Sequence, residues 1–184
     1  MKFNVNQKDL QEALSYCQGV IEKRSTLPIL SNVLIDASNS NLTITATDLD
    51  LIFIHKINNV EIVEEGKTTT TSSIMFDIVR KFSSDKKINL SMNNDNKLQL
   101  ESEKSIFNLN CISYSEFPLT EENFNQNEFM INSKHFLKLL NKCKFSVSND
   151  ETRHYLSGIY FHQTEVDDKI YLTAVATDSH RMSI

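Results

Sequence analysis

Leu42–Asp48 reads LTITATD, and Leu172–Asp178 reads LTAVATD. Thr43 recurs as Thr173, Ala46 as Ala176, and Thr47-Asp48 as Thr177-Asp178. Within the first copy Leu42, Ile44 and Ala46 alternate with Thr43, Thr45 and Thr47, the period-two pattern of a strand with one buried face. Upstream segments repeat as well: Phe3-x-Val5-Asn6-x-Lys8 returns as Phe129-x-Ile131-Asn132-x-Lys134, and Leu30-Ser31-x-Val33-x-Ile35 as Leu156-Ser157-x-Ile159-x-Phe161. The offset is 126 residues at Phe3 and Leu30 and 130 at Leu42, so the second copy carries a small insertion. Solenoid repeats run about 20 to 50 residues, so a period this long describes tandem domains. It predicts a first domain over residues 1–127 and a second over 128–184, the latter stopping at Ile184, the counterpart of Ile54. A strand-rich domain cut there leaves a sheet edge unpaired, and the expectation is a piece of a longer protein.

Composition narrows the class. A first domain of this size can bury a core without a staple. Cys17, Cys111 and Cys143 show no paired spacing, and Cys17 and Cys143 fall on apolar helix patterns, so they read as reduced structural thiols. The start of the chain is an alternating strand pattern and no long apolar run follows, which together predict a cytoplasmic protein with no membrane partner. The net charge of −5 argues against gripping nucleic acid with the whole surface, but not against a local basic face. Glycines number only 3, while asparagines number 19 and cluster in candidate turns such as Asn39-Ser40-Asn41, where Asn takes left-handed conformations in place of glycine.

The spacing predicts a strand to Asn6, then a helix with Leu10, Ala13, Leu14, Cys17 and Ile21 on one face, capped by Asn6. Strands follow at Val33–Asp36, Leu42–Thr47, Leu49–Lys56, Val60–Val63 and Lys67–Thr71, connected too briefly for crossovers and therefore read as antiparallel meanders. A second helix from Ser72 or Ser73 places Met75, Ile78, Val79 and Phe82 together, and three more strands end near Asn110. Residues 115–127, poor in apolar anchors, read as a linker. The second unit repeats the opening strand at Phe129–Ile131 and the first helix at Ser133–Phe145. The fold class is α+β, with two helices on a largely antiparallel sheet in each domain. In the helix of the second unit, Lys134, Lys138 and Lys142 recur every four residues opposite Phe136, Leu139, Leu140 and Cys143. That stripe is either a solvated face or a phosphate-facing one.

Sets that could do chemistry are sparse. There is no glycine-rich phosphate loop, zinc-spaced cluster or nucleophile elbow. Asp48 and Asp50 share a strand face but supply too few oxygens for a metal, and turn capping is the better reading. Asp178-Ser179-His180-Arg181 contains hydrolase side-chain types, yet adjacent residues point apart and form no relay among themselves. With Thr177, Met182, Tyr155 and Leu156, these residues read either as turn packing or as the rim of a small peptide-binding groove.

The stretches Met1-Lys2-Phe3, Arg24-x-Thr26-Leu27-Pro28-Ile29-Leu30, Ala46-Thr47-Asp48-Leu49, Phe76-Asp77-Ile78-x-Arg80, Tyr155-Leu156-x-Gly158 and Ala176-Thr177-Asp178-x-His180-Arg181 together resemble the bacterial DNA polymerase III beta subunit family, the replicative sliding clamps. The resemblance implies the DNA-clamp fold: three similar domains per chain, and two chains closed head to tail into a ring with outer sheets and inner helices. It implies that Arg24, Arg80, Lys134, Lys138 and Lys142 face duplex DNA without reading sequence. It also implies that Leu156, Thr177, Ser179, His180, Arg181 and Met182 form one side of a groove for the clamp-binding motifs of the replicative polymerase, the clamp loader and repair proteins. Phe107 would lie at the edge that meets the second clamp subunit. Neither cofactor, metal nor intrinsic catalysis is implied; the nucleotidyltransferase label of such chains belongs to the polymerase complex. A protein-interaction scaffold without DNA encirclement is the alternative, and a hydrolase using His180 a remote one. Ser72-Ser73 stands where many relatives carry a basic residue, and Ser179 and Met182 where they commonly carry Gly and Leu, which points to a differently shaped groove. A chain lacking the rest of the second domain and the third is not expected to close a ring.

Overall fold

Asn39-Ser40 and Asp167-Asp168 are the paired left-handed residues of two matching hairpins, with φ of 50° and 61° in the first and 50° and 58° in the second. Both central residues at positive φ make the tight turn whose twist suits antiparallel strands, and Asn and Asp tolerate it. The computed structural model describes residues 1–21, 27–93, 95–118 and 130–184. The expected boundary at 127/128, Arg24 and Phe129 lie outside them. The chain divides into Met1–Glu121 and Glu122–Ile184.

The first unit runs β1 (Lys2–Asn6), α1 (Gln7–Cys17), a 3-10 turn (Pro28–Ser31), β2 (Asn32–Ser38), β3 (Asn41–Thr47), β4 (Ile52–Ile57), β5 (Val60–Glu64), β6 (Gly66–Thr71), α2 (Ser72–Val79), β7 (Lys87–Met92), β8 (Lys97–Ser102), β9 (Ser105–Ile112) and a 3-10 turn (Tyr114–Glu116). All ladders are antiparallel, in the order β4-β3-β2-β6-β9-β8-β7-β1-β5. The meander expected from connection length holds for β2, β3 and β4 and then fails. β5 does not pair with β4 or β6 but with β1, Asn4 opposite Glu61, while β6 pairs with β2. Leu49–Leu51 also falls outside β4, because the Asp48 carboxylate binds the backbone N–H groups of Asp50 and Leu51 and bends the chain there.

Phe3, Leu10, Leu14, Ile35, Ile44, Met75, Ile88 and Leu98 are fully enclosed in one core. The period-four and period-two positions read from the sequence are the ones that point inward. α1 lies against α2, β3 and β4. Asn6 holds the N-cap position of α1 but makes no capping bond; its amide donates to Asp9 instead (3.2 Å).

The half of the sheet built on β6 meets the other half at only two residue pairs, Thr69 with Ile112 and Thr70 with Cys111. Side chains reinforce this seam. The hydroxyls of Thr69 and Thr70 donate to the carbonyls of Ile112 (2.8 Å) and Asn110 (3.0 Å), and the buried Asn32 amide donates to Thr69 Oγ1 (3.1 Å) while its Oδ1 accepts from Thr71 (3.3 Å).

The second unit contains α3 (Ser133–Cys143), 3-10 turns at Lys144–Ser146 and Glu151–Leu156, β10 (Tyr160–Val166), β11 (Lys169–Thr177) and β12 (Met182–Ser183), with sheet order β10-β11-β12. The sequence repeat becomes a structural one: α3 answers α1, the hairpin β10–β11 answers β2–β3, and β12 answers β4. The four extra residues lengthen this hairpin by two on each strand, which leaves the facing of every side chain unchanged. The expected opening strand is not formed at Met130–Asn132. Its counterpart β1 is held between β5 and β7, and among the described residues of the second unit no strand occupies either role. Helix α3 ends at Cys143 rather than Phe145.

Replacing Asn32 with Ala removes one buried and one part-buried hydrogen bond at the seam. Urea denaturation is expected to show a loss of about 1–3 kcal/mol, as a lower midpoint at unchanged slope. The Cys17 thiol is pushed up to about 12 by burial, against a weaker opposing hydrogen bond. A thiol-reactive dye at neutral pH is therefore expected to label Cys17 only after unfolding, since the thiolate fraction is on the order of 10⁻⁵ at pH 7.

Candidate functional site

Lys134, Lys138 and Lys142 are exposed along one face of α3, with Phe136, Leu139 and Leu140 half-buried and Cys143 buried on the other. At 1.5 Å per residue the stripe is about 12 Å long. None of the three ammonium groups forms an ion pair among the described residues. Asn132 caps the helix through the N–H groups of Lys134 and His135 (3.0 and 3.4 Å), and no acid occupies the first turn. Lys134 thus places a cation at the positive end of the helix dipole, a cost of about 0.3–1 kcal/mol, and unmatched charge is left free for an anionic partner. Arg80 follows the last turn of α2 and is already engaged: it bonds Asp77 (3.0 Å) and lies 5.8 Å from the Phe76 ring centre. Arg24 lies outside the described residues.

Phe107 is 40% exposed on β9, its ring edge-on to Phe82 at 5.8 Å. β9 pairs with β8 over Ser105–Asn110, but with β6 only at Cys111 and Ile112. The other side of Ser105–Leu109 is therefore an open strand edge among the described residues, with the exposed Ile106 beside it.

Five of the six residues expected at the groove sit on one turn and the strand ends that flank it. Asp178 Oδ1 accepts the N–H groups of His180 and Arg181 (both 2.9 Å), Oδ2 accepts from Arg181 Nε (2.9 Å), and Thr177 Oγ1 accepts the Ser179 N–H (3.1 Å) and donates to the Arg181 carbonyl (2.8 Å). Ser179 has φ 76°, a left-handed position that costs a residue bearing a Cβ about 1–2 kcal/mol and suits glycine. The Arg181 guanidinium lies 5.6 Å from the Phe145 ring centre, and Met182 opens β12 opposite Thr177 with its side chain exposed. Leu156 and Thr177 share a shallow cavity of about 120 Å³ with Tyr155, Gly158, Tyr160, Val175 and Ala176. His180 and Arg181 do not line it.

Sequence reasoning missed Arg153. Its guanidinium bonds Asp150 (2.8 Å) and the Ser179 hydroxyl (3.0 Å), tying the 3-10 turn that carries Leu156 to the turn that carries Arg181. Only its location just before Tyr155 hinted at this. His180 has no nucleophile or carboxylate bonded to its ring among the described residues, and no group of three or more His, Cys, Asp or Glu side chains converges there. Asp48, weighed as a metal ligand, spends Oδ1 on its own turn.

The His180 N–H, followed by the N–H and guanidinium of Arg181, holds the Asp178 carboxyl below its ordinary value, against a desolvation that acts the other way. A lowered value means that the turn's stabilisation is fully present above about pH 4 and is lost as the pH falls through the folded value. An NMR titration is expected to show Asp178 titrating below free Asp, with the His180 and Arg181 amides shifting alongside it.

A family model described as the DNA polymerase III beta subunit, N-terminal domain, matches residues 1–121, and the central-domain model of the same subunit matches residues 130–184. The beta sliding clamp of Caulobacter vibrioides is 33% identical over the whole chain and that of Escherichia coli K12 30%, the chain spanning 50% and 49% of those proteins. A solved Caulobacter crescentus polymerase III beta subunit matches 99% of the chain with a TM-score of 0.93 at 33% identity. A Bartonella birtlesii sliding clamp bound to griselimycin matches 99% with 0.93 at 36%; the chain covers 49% and 48% of these structures. Two clamp domains recognised in order, each on its own repeat of the sequence, place this chain in the DNA polymerase III beta subunit family of sliding clamps.

Proposed function

We infer that the chain is the first domain and the first part of the second domain of a clamp, with the boundary near 127/128, and that the clamp encircles duplex DNA as a head-to-tail ring of two subunits. In that role it tethers the replicative polymerase for processive synthesis and docks the clamp loader and repair proteins. The observation that carries this reading is the match in sequence and fold to beta sliding clamps over 99% of the chain. The chain spans about half the length of those relatives, so ring closure and partner docking are assigned by family and not by a contact in hand.

The site residues divide among three surfaces. Lys134, Lys138 and Lys142, with Arg24 and a weaker Arg80, are assigned to phosphate contacts, which hold duplex without reading bases and weaken with salt. Loose contact suits a sliding protein, because encirclement rather than affinity prevents escape. Leu156, Thr177, Ser179, His180, Arg181 and Met182 are assigned to the groove for clamp-binding motifs, and the open edge at Phe107 to the second subunit. The chain is read as a non-catalytic cytoplasmic subunit of the polymerase complex, with no cofactor or metal. A scaffold that binds peptides without encircling DNA is the competing reading.

When the ring-forming protein is loaded on nicked circular DNA, retention at high salt is expected to collapse on linearisation. Undiminished retention overturns encirclement. Changing Lys134, Lys138 and Lys142 to Glu is expected to weaken duplex binding equally for all sequences and to flatten the log–log salt slope by about 2–3.

A further inference from the structure

The turn after β11 repeats the turn after β3 in its backbone wiring. Thr47 Oγ1 accepts the Leu49 N–H (3.0 Å), and Asp48 Oδ1 accepts those of Asp50 and Leu51 (3.0 and 2.7 Å), as Thr177 and Asp178 do for Ser179, His180 and Arg181. In both turns the aspartate N–H closes on the carbonyl three residues later, Leu51 or Arg181 (3.3 Å each). Leu49 stands at φ 84° where Ser179 stands at 76°. The first turn is wired without any hydrogen bond from the Leu49 side chain, so the fold of such a turn does not require a hydroxyl at Ser179. A residue with a Cβ is nevertheless held there in a conformation that glycine adopts without strain. Strain kept where the architecture does not demand it calls for a role beyond the turn.

Arg153 supplies that role. Its Nε donates to Asp150 Oδ2 (2.8 Å), while Asp150 Oδ1 accepts from the N–H and hydroxyl of Thr152 (3.0 and 2.6 Å), so the arginine is anchored in its own 3-10 turn. Nη1 then reaches the Ser179 hydroxyl at 3.0 Å. Among the described residues this is the one hydrogen bond between the turn that carries Tyr155 and Leu156 and the turn that follows Thr177. The shallow cavity of about 120 Å³ takes Tyr155 and Leu156 from the first of these turns, and Ala176 and Thr177 from the strand that enters the second.

We propose that Ser179 and Arg153 form a latch that fixes the two walls of this cavity before a peptide arrives, which makes Ser179 a positioning residue for the clamp-binding motif. The latch rests on the groove assigned above to those motifs. A groove whose walls are already tied loses less freedom when it is filled, so the bond raises affinity without touching the ligand. The hydroxyl, and not the turn, is then what keeps a strained serine in place.

The test uses the ring-forming protein and a fluorescein-labelled peptide spanning the clamp-binding motif of its replicative polymerase. Affinity is read by fluorescence polarisation and stability by thermal melting. Ser179→Ala removes the hydroxyl and keeps the strain, whereas Ser179→Gly removes both. Each is expected to weaken the peptide by the same factor, about threefold to fivefold, while Ser179→Gly melts at a higher temperature than Ser179→Ala. In an Arg153→Gln background, Ser179→Ala is expected to weaken the peptide no further. Affinity untouched by Ser179→Ala, affinity that follows the melting temperature instead of the hydroxyl, or a Ser179→Ala loss that persists in full beside Arg153→Gln each overturns the latch while the groove stands. Failure of the unaltered ring to bind the peptide overturns the groove reading, and the latch with it.

Discussion

Two residues, Asn58 and Asn59, connect β4 to β5, which stand at opposite ends of a nine-strand order. Three peptide steps span at most about 11 Å, so the two ends of the sheet must come together. A flat sheet of nine strands at about 4.8 Å spacing would hold its edges nearly 40 Å apart. The sheet therefore bends back on itself, and the inward faces of both halves close over the apolar side of α1. The threonine seam between β6 and β9 is where that bend is absorbed. Only two residue pairs span it, and hydroxyls that would be unremarkable on an outer face become buried fasteners.

Periodicity made the helices and most strands legible. Leu10, Leu14 and Cys17 announce the buried stripe of α1, and Leu42, Ile44 and Ala46 the inner face of β3. Periodicity reports which way a side chain faces, not which strand lies alongside. Val60–Val63 alternates equally well beside β4 or β1, so its true neighbour was hidden. The same limit explains Met130–Asn132, whose pattern copies β1 but beside which no strand lies among the described residues. The geometry of the candidate site was legible where it was local: Thr177 to Met182 are consecutive, and the Asp178 carboxylate binds the backbone N–H groups of His180 and Arg181. Arg153 was not, because its contact with Ser179 joins residues 26 apart through a fold that the pattern alone does not specify.

The two Thr-Asp turns show how a duplicated scaffold separates backbone wiring from the side chains it displays. Threonine and aspartate do the wiring, and every bond they make goes to backbone N–H or carbonyl groups that any residue supplies, Arg181 Nε excepted. The side chains between them were free to become Leu and Asp in one copy and Ser, His and Arg in the other. A similar division holds for α1 and α3, where the buried face was kept while the outer face of the later helix gathered lysines.

The longer hairpin of the second unit has a consequence for how such domains change length. Two added residues on each strand return the tight turn to a closing pair of the same hydrogen-bonding type and keep Ala174 and Ala176 inside, whereas one on each strand would set the turn on the alternate type of pair. Viable insertions here come in fours, shared equally about the turn. Length in this hairpin therefore behaves as a parity, and lineages that differ in it should differ by whole steps of the pleat.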